Sequence, residues 1–256
     1  MQTSGNTILI TGGGSGIGRG LAEAFHALGN KVIIAGRRQS VLDETTAANS
    51  GMASLVLDIE DRDAVRAFAA RVAAEHPDLN VLINNAGIMR PENLQVPQDD
   101  LADAEATVVT NLLGPIRLTA ALLPLLKTQP HAAIMNVSSG LAFLPMAMTP
   151  TYCATKAAIH SYTQSLRYQL KDTSVQVLEL IPPYVQTELM GPAQASDPNA
   201  MPFQDFITET MDILNSSPGA TEICVERVKP LRFAEAGGNY EAFFKRFNDA
   251  LAAAAH

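Results

Sequence analysis

The stretch that decides the fold is T-I-L-I-T-G-G-G-S-G-I-G, residues 7–18. Thr7–Thr11 is a short uncharged β-rich run, the pattern of a strand buried on both faces. It breaks into glycine and passes at once into a helical run, residues 17–28. There Leu21, Ala22, Phe25 and Leu28 share one face, and Gly29 supplies a stop. Gly12, Gly16 and Gly18 give the spacing G-x-x-x-G-x-G. Without Cβ atoms the backbone can turn sharply and approach a pyrophosphate, while the helix N-terminus offers free N–H groups and a partial positive charge. Alone, such a turn is also read as a tight connection; between a strand and a helix it points to a dinucleotide. No G-K-[ST] follows, which speaks against an ATP-binding P-loop.

Outward from this turn, strand-like runs at 31–35, 53–57, Val81–Asn84, Ala132–Val137 and Val175–Leu180 are separated by helical runs at 61–76, 99–127 and 151–171. Buried strands joined by long helices imply right-handed crossovers and an α/β fold: a doubly wound parallel sheet between two layers of helices. No linker or repeat divides the chain, so residues 1–256 are expected to form one domain. The breaker-rich stretch within 190–202 is expected to centre a mobile substrate loop at about 189–215, the chain from Phe203 onwards reads as helices, and a helical extension is expected at about 220–255.

Three strand ends carry cofactor candidates. The second ends in Ala35-Gly36-Arg37-Arg38, a small residue and two guanidinium groups where an NAD site usually has an acid. That favours the 2′-phosphate of NADP over NAD, although an arginine pair there is also read as a solvated strand end. Asp58 ends the third strand, placed to accept from an adenine amino group. Asn84-Asn85-Ala86-Gly87 ends the fourth, where small residues let a nucleoside lie against the sheet. Each is equally a strand-end turn.

The candidate chemistry lies further along. Tyr152 and Lys156 are spaced i, i+4 in Y-C-A-T-K, behind Thr149-Pro150, a helix-starting pair. A phenol titrates near ~10, and an adjacent ammonium is expected to lower that value and make it a usable acid/base. Ser139 closes the strand A-A-I-M-N-V-S-S, where its hydroxyl would face a ligand crevice. Asn111 sits in an apolar helical run, and Pro115 lacks the N–H that would bond its carbonyl, freeing that oxygen for a water.

Composition bounds the rest. Among 256 residues, 47% are hydrophobic and 17% charged, with a formal charge of −8; a general nucleic-acid binder is disfavoured. Cys153 and Cys224 form no C-x-x-C pair, and the five histidines show no ligand spacing, so neither disulfide nor metal is expected. With no signal pattern and no long uninterrupted apolar run, the expected setting is cytoplasmic, without a membrane.

Through about Met190 these elements, in this order, resemble the short-chain dehydrogenase/reductase family. The resemblance implies a Rossmann-type sheet and NADP-dependent hydride transfer between nicotinamide and a carbonyl or secondary alcohol, in the enzyme class acting on CH–OH donors. It implies roles: Tyr152 as proton donor or acceptor, Ser139 orienting the carbonyl, Lys156 binding ribose and activating the phenol, Asn111 anchoring a relay water. Cofactor contacts are implied at Gly12, Ser15, Gly16, Ile17, Gly18, Arg37, Arg38, Asp58, Ile59, Asn85, Ala86, Gly87, Tyr152, Lys156, Pro182, Val185 and Thr187. Thr187 matches the residue that bonds the carboxamide. The chain departs from the family in having Pro182-Pro183 for Pro-Gly, and in lacking the usual C-terminal D-G-G stretch. Residues 221–233 and 240–254 read instead as helices, which leaves six or seven strands. A homodimer or homotetramer is expected, with the helices at 99–127 and 151–171 serving a dimer contact.

Phe143, Leu144, Met146 and Met148 lie between Ser139 and Tyr152 and are expected to wall one side of the pocket, with Tyr184 in the stretch covering the other. Apolar side chains without Lys or Arg suggest a neutral, largely apolar ketone, aldehyde or alcohol; equally, they suit a subunit contact. Two other readings are a non-catalytic NADP-binding regulator, disfavoured by the four assembled candidates, and an epimerase or dehydratase, disfavoured by the glycine spacing.

Overall fold

Thr7–Thr11 (β1) is buried throughout, and its side chains divide between two cores: Ile8 and Ile10 enter one, Leu9 the other. That alternation is the strand's own period of two, made visible by apolar layers on both faces. The structure, a computed structural model, describes residues 1–97 and 100–254. The further strands are β2 (Lys31–Gly36), β3 (Ala53–Val56), β4 (Val81–Asn84), β5 (Ala132–Val137), β6 (Val175–Leu180) and β7 (Glu222–Ile223). All seven pair in parallel in the order β3-β2-β1-β4-β5-β6-β7. The order reverses between β1 and β4, opening a crevice at their carboxyl ends.

The helices are α1 (Gly16–Ala27), α2 (Gln39–Ala48), α3 (Arg62–Glu75), α4 (Ala102–Val108), α5 (Gly114–Leu126), α6 (Pro150–Gln169), α7 (Phe203–Ser216), α8 (Lys229–Arg232) and α9 (Tyr240–Ala254). Phe25 of α1, Leu42 of α2 and Phe206 and Leu214 of α7 join the core of one face. Val65 and Val72 of α3, Leu118 and Leu122 of α5 and Leu166 of α6 join the other, which gives three layers. α1 ends as expected at Gly29, whose φ of +80° is the left-handed stop.

Several expectations are corrected. The sheet has seven strands, within the six or seven expected, but its last one, Glu222 and Ile223, pairs with Glu179 and Leu180 where a helix was expected. A two-residue strand is too short to leave a period in the sequence. The loop expected at 189–215 stops at Pro202, where the helical reading from Phe203 onwards holds instead: α7 occupies 203–216 and seats on Gly20, where a Cβ would come within 2.6 Å of Phe203. Thr149 precedes α6, but its side chain makes no cap bond; Pro150 opens the helix, and Glu92 accepts from the N–H of Thr151 in its first turn. Residues 102–126 run as one helix, long and apolar enough to cross a membrane by length and composition, yet they lie against α3 and α6. Asp99 and residue 255, at the edges of two expected helical runs, fall outside the described residues.

Candidate active site

The glycine turn is built for close approach. Gly12 and Gly16 have φ of +66° and +48°. At Gly18 a Cβ would lie 2.3 Å from the Gly12 carbonyl oxygen and from Asn85 Nδ2, so only glycine fits. The ends of β1 and β4 are stitched together: Thr11 Oγ1 accepts from the N–H groups of Asn85 (3.0 Å) and Ala86 (3.1 Å), and Asn85 Nδ2 donates to Thr11 O (3.0 Å). Ser15 precedes α1 without capping it, so the first-turn N–H groups have no side-chain acceptor among the described residues. Ile17 follows Gly16 in that turn, packed against the core. This cradle fits a pyrophosphate.

Beside it, Arg37 Nη1 donates to Glu60 Oε1 at 2.8 Å and is half exposed. Glu60 also accepts from Thr110 Oγ1, and its N–H donates to Asp58 Oδ1. Arg38, exposed, precedes α2. Ile59 is buried against Gly114, where a Cβ would meet it at 2.6 Å. Across the crevice, a Gly16 Cβ would lie 3.7 Å from Thr187, so the glycine turn and the segment after β6 face each other. Pro182 and Val185 are buried in that segment. Gln194 holds it: its Nε2 donates to Val185 O and Thr187 Oγ1, and its Oε1 accepts from Met190 N.

Asn111, Ser139, Tyr152 and Lys156 converge at the carboxyl ends of β4 and β5, each at most 7% exposed. Asn111 lies in a π-type turn, Val109–Leu113, between α4 and α5, and Pro115 sits in the next turn. Its side chain clamps the segment after β4, accepting from Ile88 N and donating to Ile88 O, both at 2.8 Å. A Cβ on Gly87 would lie 3.3 Å from Asn111 Oδ1 and 3.7 Å from Lys156 Nζ, so Gly87 leaves room between them. Lys156 Nζ donates to Val137 O (2.8 Å) and lies 5.5 Å from the centroid of the Tyr152 ring. Burial pushes its pKa down to about 8, opposed by the charge of Glu179. The phenol was expected to fall below its ordinary value; burial instead pushes it up, and the hydrogen bond with Ser139 opposes that only in part.

The expected substrate wall divides. Met146 joins an apolar cluster with Tyr152, Met89 and Cys153, whereas Leu144 is fully enclosed and has no surface for a ligand. Phe143 stacks edge-on against His160 (4.6 Å) and under Arg232 (4.4 Å) instead of joining that cluster. Met148 is partly exposed, and Tyr184 lies outward with its hydroxyl donating to Asp197. The sequence reading missed the C-terminal contribution. Phe247 and Leu251 of α9 pack against the Tyr152 cluster, and Asn248 accepts from Ala147 N (2.7 Å) and donates to Pro145 O (3.2 Å). The amphipathic period of α9 announces a packed face, but nothing in it says against what.

Comparison with known proteins identifies the family and the fold. The family model described as short chain dehydrogenase matches residues 6–198. The chain is 39% identical over 251 residues to the Bacillus subtilis protein named uncharacterized oxidoreductase DltE, covering 97% of this chain and 98% of that one. It superposes on a short chain dehydrogenase from Burkholderia cenocepacia J2315 in complex with NADP, with a TM-score of 0.79 and 25% identity, over 96% and 99% of the two chains. A Burkholderia phymatum short chain dehydrogenase/reductase in complex with NAD, 21% identical over 94% and 96% of the chains, shares the fold with a TM-score of 0.79.

Proposed function

The chain belongs to the short-chain dehydrogenase family, and we propose that it transfers hydride between NADP and a neutral, largely apolar ketone, aldehyde or secondary alcohol. The observation that carries this reading is the convergence of Ser139, Tyr152, Lys156 and Asn111 beside the glycine cradle. Held along the glycine cradle and the segment after β4, a nicotinamide would supply or accept the hydride at the carbonyl carbon. Ser139 Oγ orients the carbonyl oxygen, and Tyr152 Oη gives that oxygen its proton as the alkoxide forms. A phenol that burial keeps protonated suits that donation. The phenolate left behind is stabilised by the Lys156 ammonium above the ring. Asn111 fixes the segment after β4 along which the nicotinamide riboside would lie.

NADP over NAD is supported by Arg37 and Arg38. A 2′-phosphate would take over Arg37 from Glu60, which keeps Thr110 as a partner. The apolar character of the substrate is supported by Met89, Met146, Phe247 and Leu251 around Tyr152. A homodimer or homotetramer is supported by the long apolar helix of residues 102–126, much of whose surface the protomer leaves uncovered.

The test is NADPH oxidation against a panel of apolar ketones and aldehydes, with NADH in parallel. Wild type turns over with NADPH. Tyr152→Phe loses turnover, on the order of 10²-fold or more, and keeps NADPH binding. Binding without turnover of any carbonyl or alcohol by wild type would instead favour the regulator reading.

A further inference from the structure

Glu179 is a carboxylate with no solvent exposure, on β6 beneath α6. A charge so placed is costly unless it is bonded and balanced, and no step of the proposed reaction uses it. Its partners lie next to groups the reaction does use. Ser138 Oγ donates to Glu179 Oε1 at 2.5 Å, and Ser138 is bonded through the chain to Ser139. His160 Nδ1 meets Glu179 Oε2 at 2.8 Å. On α6, Tyr152, Lys156 and His160 follow one another at i, i+4 and i+8, one stripe of phenol, ammonium and imidazole. The carbonyl of Val137, just before Ser138, receives Lys156 Nζ.

We propose that Glu179 is a positioning residue of the active site. Its two oxygens tie the Ser138-Ser139 turn to the helix that carries Tyr152 and Lys156, and its charge balances the Lys156 ammonium. The proposal rests on the hydride-transfer reading above. His160 is the helix end of the tie, and its ring also seats Phe143 edge-on, so the segment after Ser139 is held from the same point.

The surrounding charges are accounted for. Glu222 of β7 stands close enough for its carboxylate, Glu179 and His160 to hold a cation, but both its oxygens accept from Arg232, at 2.8 and 2.9 Å. The cation in this cluster is therefore a guanidinium. Arg167 of α6 is spent on the carbonyls of Val177 and Thr221, and burial pushes the Cys224 thiol up to about 11. At the start of α6 the charged group is Glu92, bonded to Thr151; α4 carries Asp103, paired with Arg90. Among these carboxylates, Glu179 is the one that opposes the fall of Lys156.

Glu179→Gln keeps an acceptor for Ser138 and removes the charge. The alkaline limb of NADPH binding, followed by nicotinamide fluorescence, and that of kcat/KM should both move to lower pH. The expected shift is from a few tenths of a unit to about one unit, and Glu179→Asp should restore part of it. His160→Asn keeps a donor in the Nδ1 position and should stay near wild type. His160→Leu should lower kcat roughly tenfold at unchanged NADPH affinity. A Glu179→Gln limb that overlays wild type overturns the charge role, and equal kcat in the two His160 variants overturns the tie. If Glu179→Gln does not fold, the His160 pair decides. A binding limb that shifts in an enzyme without turnover sustains the positioning role and defeats hydride transfer. Wild type that does not bind NADPH defeats both.

Discussion

The two sides of the crevice are made differently. The cofactor side is a backbone construction: Gly12, Gly16 and Gly18 lie within seven consecutive residues, and what they offer is the absence of side chains beside free N–H groups. The proposed substrate side is a side-chain construction drawn from across the chain: Met89 after β4, Met146 and Tyr152 around the start of α6, and Phe247 and Leu251 of α9. A site whose chemistry is backbone geometry can be specified locally. One whose chemistry is apolar shape needs surfaces from several elements, and this lets the pocket vary while the cradle stays fixed.

The largest expected effect that probes this contrast is at Gly18. In Gly18→Ala the new methyl meets the Gly12 carbonyl oxygen at 2.3 Å, and that backbone atom is held by its own turn. NADPH binding should be lost in fluorescence titration, with a stability loss of about 1–3 kcal/mol in urea unfolding. Retained wild-type affinity would show that the turn is not a tight cradle. Next is Arg37→Ala, expected to weaken NADPH by roughly ten- to a hundredfold, the loss of a charged hydrogen bond, while NADH affinity stays unchanged. Equal loss for both dinucleotides would remove Arg37 from phosphate recognition. The smallest is Asn248→Ala, which unlatches α9 from the Pro145–Ala147 segment. It should raise KM for apolar carbonyls a few-fold and cost about 0.5–1.5 kcal/mol in stability, with NADPH affinity untouched. An equal change in NADPH affinity would mean that the two sides are not separable.

The legibility of each feature follows the same division. Thr7–Thr11 and Val81–Asn84 stand out as uncharged β-rich runs because both of their faces are buried. The convergence of Tyr152 and Lys156 follows from i, i+4 spacing on one helix. By contrast, β7 is two residues long and has no period to detect. Leu144 and Met146 look equivalent in a row of apolar residues, yet one is enclosed and the other reaches the Tyr152 cluster. His160 shows no ligand spacing in the sequence. Its significance comes from Glu179, which a separate strand brings within 2.8 Å of it.

By itself the sequence determined the architecture, the glycine cradle and the helix face that carries Tyr152 and Lys156, because these rest on periods and spacings shorter than one element. Tertiary structure alone decided which apolar residues surround Tyr152, that α9 closes over them, and that burial raises the pKa of Tyr152 and lowers that of Lys156. Those properties depend on what is excluded from water. Exclusion is set by elements up to about a hundred residues apart in the chain, as with Asn248 on Ala147.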